Sequence, residues 1–270
     1  MSVDSHCHID DAEFDADRET MFARAHAAGV RGFVLAGVDR DSWIRQREWV
    51  RTRVDCVRAA GLHPMVVGRL ASDARALREQ LDGLAAEFTG NGAAVALGET
   101  GLDTHFVDAS TLDVQTQVFR EQLALARSLD VPIVLHVLGR GTHSRVLETL
   151  SADGLPARGG MVHSFSGSAE VAGHYLRLGL CCSFAGAVAR PTAAKVHAAC
   201  RAVPEDRLLI ETDAPDQAPP GTPPRMEPAR LGEVAAAVAH VRGTTSAIVL
   251  DRCATNARRL FPTLPPSTAE

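Results

Sequence analysis

Lysine, aromatic side chains and long apolar runs are all scarce in this 270-residue chain. Lys195 is the only lysine and falls on a predicted helix. This excludes mechanisms that need a lysine on a barrel strand, either as a Schiff-base nucleophile or as a carboxylated bridge between metals. The six cysteines form no Cys-x-x-Cys pair, so we expect reduced, apolar cysteines rather than disulfides or a structural zinc site. No apolar run reaches the roughly 18 residues of a membrane-spanning helix, so no membrane contact is expected.

Acidic residues outnumber basic ones, 33 to 28. The formal net charge is -5, and Phe, Trp and Tyr make up 4% of the residues. A broad clamp on duplex DNA needs a basic surface, and single strands are bound on aromatic platforms, so any phosphate chemistry is expected to be local. The first 20 positions carry seven acidic residues, which is unlike a secretory or transit peptide and predicts a soluble cytoplasmic protein.

Short apolar runs alternate with helical patterns along the whole chain, which is typical of parallel βαβ units. We predict eight strands, near 3–8, 32–37, 54–60, 94–98, 132–137, 160–165, 181–185 and 207–212. We predict helices near 16–28, 42–52, 73–88, 114–129, 143–150, 169–178, 192–201, 229–242 and 246–259. Eight alternations favour a (β/α)8 TIM barrel over an open sheet. The expected organisation is one barrel domain over 1–262 and a flexible tail over 263–270.

Two histidines, His6 and His8, lie one residue apart on the first predicted strand. Side chains at positions i and i+2 of a strand point to the same face, here the barrel interior. Two imidazoles about 7 Å apart along a strand converge readily on one cation. The pair alone would not decide between a metal site and ordinary core histidines.

Four further strand ends carry metal-binding side chains, namely Glu99, His136, His163 and Asp213. The C-terminal strand ends of a barrel meet at its active-site face. Four imidazoles and two carboxylates exceed the needs of one tetrahedral ion, so we expect two divalent ions such as Zn, Mg or Mn.

Each ion is predicted to have its own ligands. The first is assigned His6, His8, Glu99 and Asp213, and the second Glu99, His136 and His163. Glu99 would bridge the ions. Asp213 would orient the attacking water or take its proton, so Glu99 and Asp213 are the predicted catalytic residues. His63, held extended by the proline that follows it, is assigned to substrate contact.

The ordered motifs DSHCHID, GLHP, GETGLD, PIVLHV, GMVHSFSG, ETDAP and NARRLFP resemble the TatD family of metal-dependent deoxyribonucleases, which belong to the amidohydrolase-like TIM barrels. The resemblance covers nearly the whole chain. It implies a two-metal hydrolase of phosphodiesters, often DNA and often from a 3′ end, with the six residues above in the metal-binding positions. It also implies that His63 contacts the substrate phosphate.

The chain departs from the family pattern around the substrate. Leu138 stands where the family usually has an arginine, and the nearest guanidinium is Arg140. Asp216 follows ETDAP where an aromatic residue is common, and the later PPRMEP segment keeps Arg225 and Glu227 but no lysine or asparagine. Arg140 and Arg225 complete the predicted substrate-binding set.

Three functions remain open from the sequence. The first is a nuclease acting on DNA ends, single-stranded and in the 3′-5′ direction. The second is a carboxylate-bridged amidohydrolase, lactonase or phosphoesterase acting on a small molecule. The third is a metal-binding protein that has lost catalysis.

Overall fold

Eight parallel strands form one sheet, in chain order from β1 to β8, in the computed structural model, which describes residues 1–266. The strands are β1 (Ser2–Cys7), β2 (Val30–Leu35), β3 (Cys56–Ala60), β4 (Ala96–Asp103), β5 (Ile133–Leu138), β6 (Gly160–Val162), β7 (Cys181–Phe184) and β8 (Leu208–Ile210). The helices are α1 (Arg18–Ala27), α2 (Arg40–Val50), α3 (Pro64–Arg69), α4 (Ala74–Leu81), α5 (Leu112–Leu129), α6 (Thr142–Asp153), α7 (Ala169–Arg177), α8 (Ala194–Ala202), α9 (Leu231–Arg242) and α10 (Ser246–Leu260).

The segment that follows β8 returns to β1. The backbone N–H of Asp213 donates to the carbonyl of His6 at 3.0 Å, and the N–H of His8 donates to the carbonyl of Ala214 at 2.8 Å. These bonds join the first strand of the sheet to the chain beyond the last one. Together with the alternating helices, they confirm the predicted (β/α)8 barrel.

Several segments differ from the predicted elements, and β6 and β8 end at Val162 and Ile210, short of the predicted ends at 165 and 212. β4 runs five residues beyond its predicted end, because Gly101 to Asp103 pair with His136 to Leu138 of β5. The helix α3 was not predicted. It is only six residues long and starts at Pro64, with the His63 side chain accepting the N–H of Met65 as its N-cap. The predicted helix 73–88 is interrupted at Gly83, whose φ of 89° is left-handed.

The chain divides into two compact units. The first contains Met1–Leu35, Arg53–Val57 and the chain from His163 onward, and it carries β1, β2, β7 and β8. The second contains Ala36–Thr52 and Arg58–Val162, and it carries β4, β5 and β6.

Each unit buries apolar side chains of its own. In the second unit, a cluster under α2 to α5 is built by Trp43, Ala60, Leu62, Val67, Leu77, Leu84, Ala94 and Val118. In the first unit, Phe22 and Phe33 pack edge to face, with ring centroids 5.3 Å apart.

The structure also bears on the predictions for the cysteines, for membrane-spanning helices and for the C-terminal tail. All six cysteines are buried and unpaired, as predicted. No helix within residues 1–266 has both the length and the apolarity needed to cross a bilayer. Of the tail predicted to be flexible, residues 267–270 lie outside the described part of the chain. Before them, Leu264 is buried and its N–H donates to the carbonyl of Phe261 at 3.0 Å.

Candidate metal centre

The first unit gathers two histidines and a glutamate from three strand ends. His6 lies on β1, His163 directly follows β6, and Glu211 directly follows β8. Their candidate ligand atoms all lie within 4.8 Å of one another. The rings of His6 and His163 stack with centroids 4.0 Å apart, and His163 Nδ1 lies 3.4 Å from Glu211 Oε1. These buried imidazole and carboxylate groups form a donor set suited to a divalent ion.

Asp213 lies beside the two histidines of β1. Its Oδ1 is 3.5 Å from His6 Nε2 and 3.4 Å from His8 Nε2. Burial alone would raise the pKa of Asp213, but the hydrogen bond from His8 and attraction to His163 and His6 outweigh it and hold that pKa well below its usual range. Asp213 is therefore ionised at neutral pH and presents an oxygen that can accept a hydrogen bond or bind a cation.

Glu211 was not among the predicted site residues. Its Oε1 accepts the N–H of Ser164 at 2.6 Å, while its Oε2 is buried without a hydrogen-bond partner in residues 1–266. An unpaired buried carboxylate oxygen is costly, and a cation beside two imidazoles would satisfy it. The sequence signal was a glutamate one residue past an apolar strand, inside the ETDAP motif.

A second unpredicted carboxylate, Asp4, connects β1 to the segment after β8. Asp4 is fully buried and accepts the backbone N–H of Thr212 at 2.9 Å and its hydroxyl at 2.5 Å. Burial raises the pKa of Asp4 to about 7, although the bonds from Thr212 oppose the shift. The contact fixes the backbone immediately before Asp213.

The second unit holds a separate cluster formed by His63, Glu99 and His136. Their candidate ligand atoms also lie within 4.8 Å of one another. Glu99 Oε1 is 3.4 Å from His136 Nδ1 and 3.4 Å from His63 Nε2. Glycine is required beside this cluster, because a Cβ on Gly61 would lie 2.7 Å from the carbonyl oxygen of Glu99.

Hydrogen bonds fix the protonation of both histidines in this cluster. His136 Nε2 lies 2.8 Å from Asp103 Oδ2, so this nitrogen carries the proton and Nδ1 is the acceptor atom of the ring, 3.2 Å from His63 Nε2 and 3.4 Å from Glu99 Oε1. His63 Nδ1 accepts the N–H of Met65 at 3.0 Å, so the proton of its neutral ring is on Nε2. His136 thus presents a ligand atom, whereas His63 presents a hydrogen-bond donor.

Asp103 was also missed by the sequence, although it ends the GETGLD motif. Desolvation would raise the pKa of this buried carboxyl, but the bonds from His136 and from the N–H groups of Phe106 and His105 lower it overall. Asp103 is therefore an anion that orients His136. Carboxylates in this role are common behind metal-binding histidines.

The two predicted substrate arginines have different surroundings. Arg140 lies in the exposed loop after β5. Arg225 donates to both carboxylate oxygens of Asp17 at 2.8 Å and lies over the ring of Phe14, with its guanidinium carbon 4.9 Å from the centroid. Its guanidinium thus anchors the proline-rich segment that follows β8, residues 214–228, to the start of α1.

A (β/α)8 barrel with buried imidazole and carboxylate clusters at its strand ends has the features of a metal-dependent hydrolase. Residues 3–262 match the family described as TatD related DNase. The chain is 35% identical over 262 residues to the uncharacterized metal-dependent hydrolase YabD of Bacillus subtilis, covering 97% of this chain and 99% of that protein.

A second relative has a more specific name. The 3′-5′ ssDNA/RNA exonuclease TatD of Cronobacter sakazakii is 34% identical over 261 residues, covering 94% of this chain and 95% of that protein. Among solved structures, the TatD homologue YjjV of Escherichia coli K12 superposes with a TM-score of 0.86 at 31% identity, covering 97% of this chain and 98% of that one. The chain belongs to the TatD family and is a metal-dependent hydrolase.

Proposed function

We propose that the protein is a two-metal phosphodiesterase that shortens single-stranded nucleic acid from the 3′ end. The observation that carries the proposal is the pair of buried imidazole and carboxylate clusters, one in each unit, at strand ends. A relative of similar length is named as a 3′-5′ ssDNA/RNA exonuclease, which favours the substrate class.

The proposed ligands follow the sequence assignment. His6, His8 and Asp213 would hold one ion, His136 and His163 the other, and Glu99 would be shared. The donor chemistry fits, since Glu211 Oε2 is buried without a hydrogen-bond partner in residues 1–266 and a cation would satisfy it. Glu211, whose Oε1 lies 3.4 Å from His163 Nδ1, would therefore join the proposed ligands. When bound, such ions lower the pKa of water and stabilise charge on phosphate oxygens.

Side chains of the protein would perform the remaining steps. Asp213, whose Oδ1 lies 3.5 Å from His6 Nε2 and 3.4 Å from His8 Nε2, would orient the attacking water as a hydrogen-bond acceptor and take its proton during the attack. His63 Nδ1 accepts the Met65 N–H, and its Nε2–H lies 3.2 Å from His136 Nδ1. With His136 Nδ1 engaged as a metal ligand, that Nε2–H would donate to a non-bridging phosphate oxygen. Arg140, exposed just beyond β5, pairs with a neighbouring phosphate.

The test uses 3′-labelled and 5′-labelled single-stranded DNA with protein loaded with Mg, Mn or Zn. We expect loss of the 3′ label first, followed by progressive shortening of the 5′-labelled strand. Asp213→Asn should abolish this, whereas Asp216→Asn, an exposed aspartate three residues away, should keep it. Intact DNA with all three metals would overturn the proposal.

A small-molecule hydrolase is the second candidate. Leu138 supplies no guanidinium at the end of β5, and Asp216 adds an exposed negative charge after Asp213. Both features weaken the binding of a polyanion such as DNA. Cleavage of a lactone or an aryl ester by the same metal-loaded protein, with DNA left intact, would establish it. No turnover of any substrate, together with metal binding, would favour the non-catalytic alternative.

A further inference from the structure

Phe106 is unusual because it leaves an aromatic ring in water. The chain has nine Phe, two Trp and one Tyr, all within residues 1–266. Eleven of these side chains are buried or half-buried, whereas Phe106 is 61% exposed. Leaving a large apolar side chain exposed forgoes the stabilisation that burial would give. A ring in this position suggests contact with a ligand.

The backbone around Phe106 is fixed by the candidate site. Phe106 lies three residues after β4, the strand that carries Glu99. The N–H groups of His105 and Phe106 both donate to Asp103 Oδ1 at 2.7 Å, and the other oxygen of Asp103 accepts from His136 at 2.8 Å. One carboxylate thus holds both the ring's backbone and a candidate ligand histidine.

The loop after β5 packs against the same turn. The Thr104 hydroxyl donates to the carbonyl of Arg140 at 3.2 Å, and a Cβ on Gly139 would lie 2.9 Å from the His105 nitrogen. An exposed guanidinium therefore belongs to the loop adjacent to the exposed ring. The ring of His105 contacts Phe106 edge to face, with centroids 4.6 Å apart, which limits how the phenyl ring can rotate.

An apolar ring face and a cation match the two halves of a nucleotide. A base stacks on an aromatic side chain in a sequence-tolerant way, and a guanidinium pairs with a phosphate. We propose that Phe106 is the stacking platform for a base next to the scissile phosphate, and that Arg140 contacts the phosphate of that nucleotide. The inference rests on the proposed function and narrows its substrate to single strands with unpaired bases.

The test measures KM and kcat on a short single-stranded oligonucleotide for metal-loaded wild type and Phe106→Ala. Because stacking is the interaction removed, KM should rise about 5- to 20-fold while kcat stays within twofold. Phe106→Trp should restore the wild-type KM. Ile44→Ala serves as the matched control, since it also truncates an exposed apolar side chain (54%) but on α2, and it should change nothing.

A substrate lacking one base separates stacking from a general disturbance of the loop. Abasic residues are placed in turn at each of the last four positions. With the abasic residue at the stacked position, the KM values of wild type and Phe106→Ala should differ by less than twofold. With the abasic residue at any other position, the full difference in KM should persist. The inference would be overturned if Phe106→Ala raised KM equally for every abasic strand, or if it did not raise KM for the intact strand. Direct binding of the strand in EDTA, followed by fluorescence anisotropy, should show the same ranking of variants without catalysis.

The two proposals fail in different ways. A wild-type protein that neither binds nor shortens any single strand would overturn the proposed function, and the platform with it. A wild type that shortens single strands, with a Phe106→Ala variant of equal KM, would overturn the platform alone. Loss of binding to anionic lipid vesicles in Phe106→Ala, with DNA kinetics unchanged, would identify the ring as a membrane contact instead.

Discussion

Replacing Asp103 by asparagine tests how the site controls the protonation of His136. The substitution keeps the size of the side chain. It also keeps an oxygen that can accept from the N–H groups of His105 and Phe106, which lie 2.7 Å from Asp103 Oδ1 in the wild type. It replaces the carboxylate oxygen that lies 2.8 Å from His136 Nε2. An amide NH₂ at that position would donate, so His136 would have to accept at Nε2 and carry its proton on Nδ1. A proton on Nδ1 would take up the lone pair with which His136 could bind a metal.

The magnitude follows from the bond that is lost. A hydrogen bond to a charged group contributes about 1.5–3 kcal/mol, and 1.36 kcal/mol corresponds to a factor of ten. We therefore expect metal affinity to fall about 10- to 100-fold, which agrees with the general effect of removing a carboxylate behind a metal-binding histidine. Activity at limiting metal should fall with it and recover partly at high metal concentration.

The assay is calorimetric titration of metal-free protein with Zn²⁺, combined with kinetics over a range of metal concentrations. Asp108→Asn is the matched control, because Asp108 is exposed and its side chain caps only a short 3-10 turn through the N–H of Ser110. Circular dichroism must show that Asp103→Asn is folded. An unchanged metal affinity in folded Asp103→Asn would refute the reasoning about the tautomer of His136.

Three further predictions concern stability and are read from thermal unfolding. Gly101→Ala should lower the free energy of unfolding by about 3 kcal/mol or more, because φ is 135° and a Cβ would overlap the carbonyl of His136. Gly173→Ala, in α7, should be neutral or stabilising, because a Cβ there would meet only the Arg177 guanidinium at an ordinary contact distance of 3.5 Å. Hydrogen bonds from Arg225 lower the pKa of Asp17, so this carboxylate stabilises the fold above its ordinary pKa of 3.8 and the stabilisation is lost on acidification. Asp17→Asn should therefore unfold with a smaller free energy than wild type at pH 7, and the difference between the two proteins should shrink towards pH 2. EDTA should lower the unfolding temperature, and Zn²⁺ at about 100 times its Kd should restore about 2.7 kcal/mol; equal curves with and without metal would count against a metal-stabilised site.

The order of the strands was predictable from the sequence because parallel strands follow one another at regular spacing, each followed by a helix. Their ends were less predictable. β4 continues to Asp103 because it pairs with β5, and no local pattern encodes that pairing. The helix α3 was missed because six residues give too little periodicity. Pro64 was interpreted only as the residue that holds His63 extended, and His63 is indeed extended, with φ -62° and ψ 139°.

Parts of the candidate site were also predictable. The histidine pair of β1 and Asp213 do lie together, as do Glu99 and His136, because strand ends bring such residues to one edge. Their role as metal ligands stays a prediction. Glu211, Asp103 and Asp4 were missed because their function depends on which atoms they face, and only three-dimensional structure supplies that.

Anomalous scattering from crystals of the metal-loaded protein tests the central claim of a two-metal centre most directly. We predict two peaks about 3.5–4 Å apart, one beside His6, His8 and Asp213 and the other beside His136 Nδ1, with a Glu99 oxygen near each. A single peak at saturating metal, or peaks that lie away from these side chains, would contradict it.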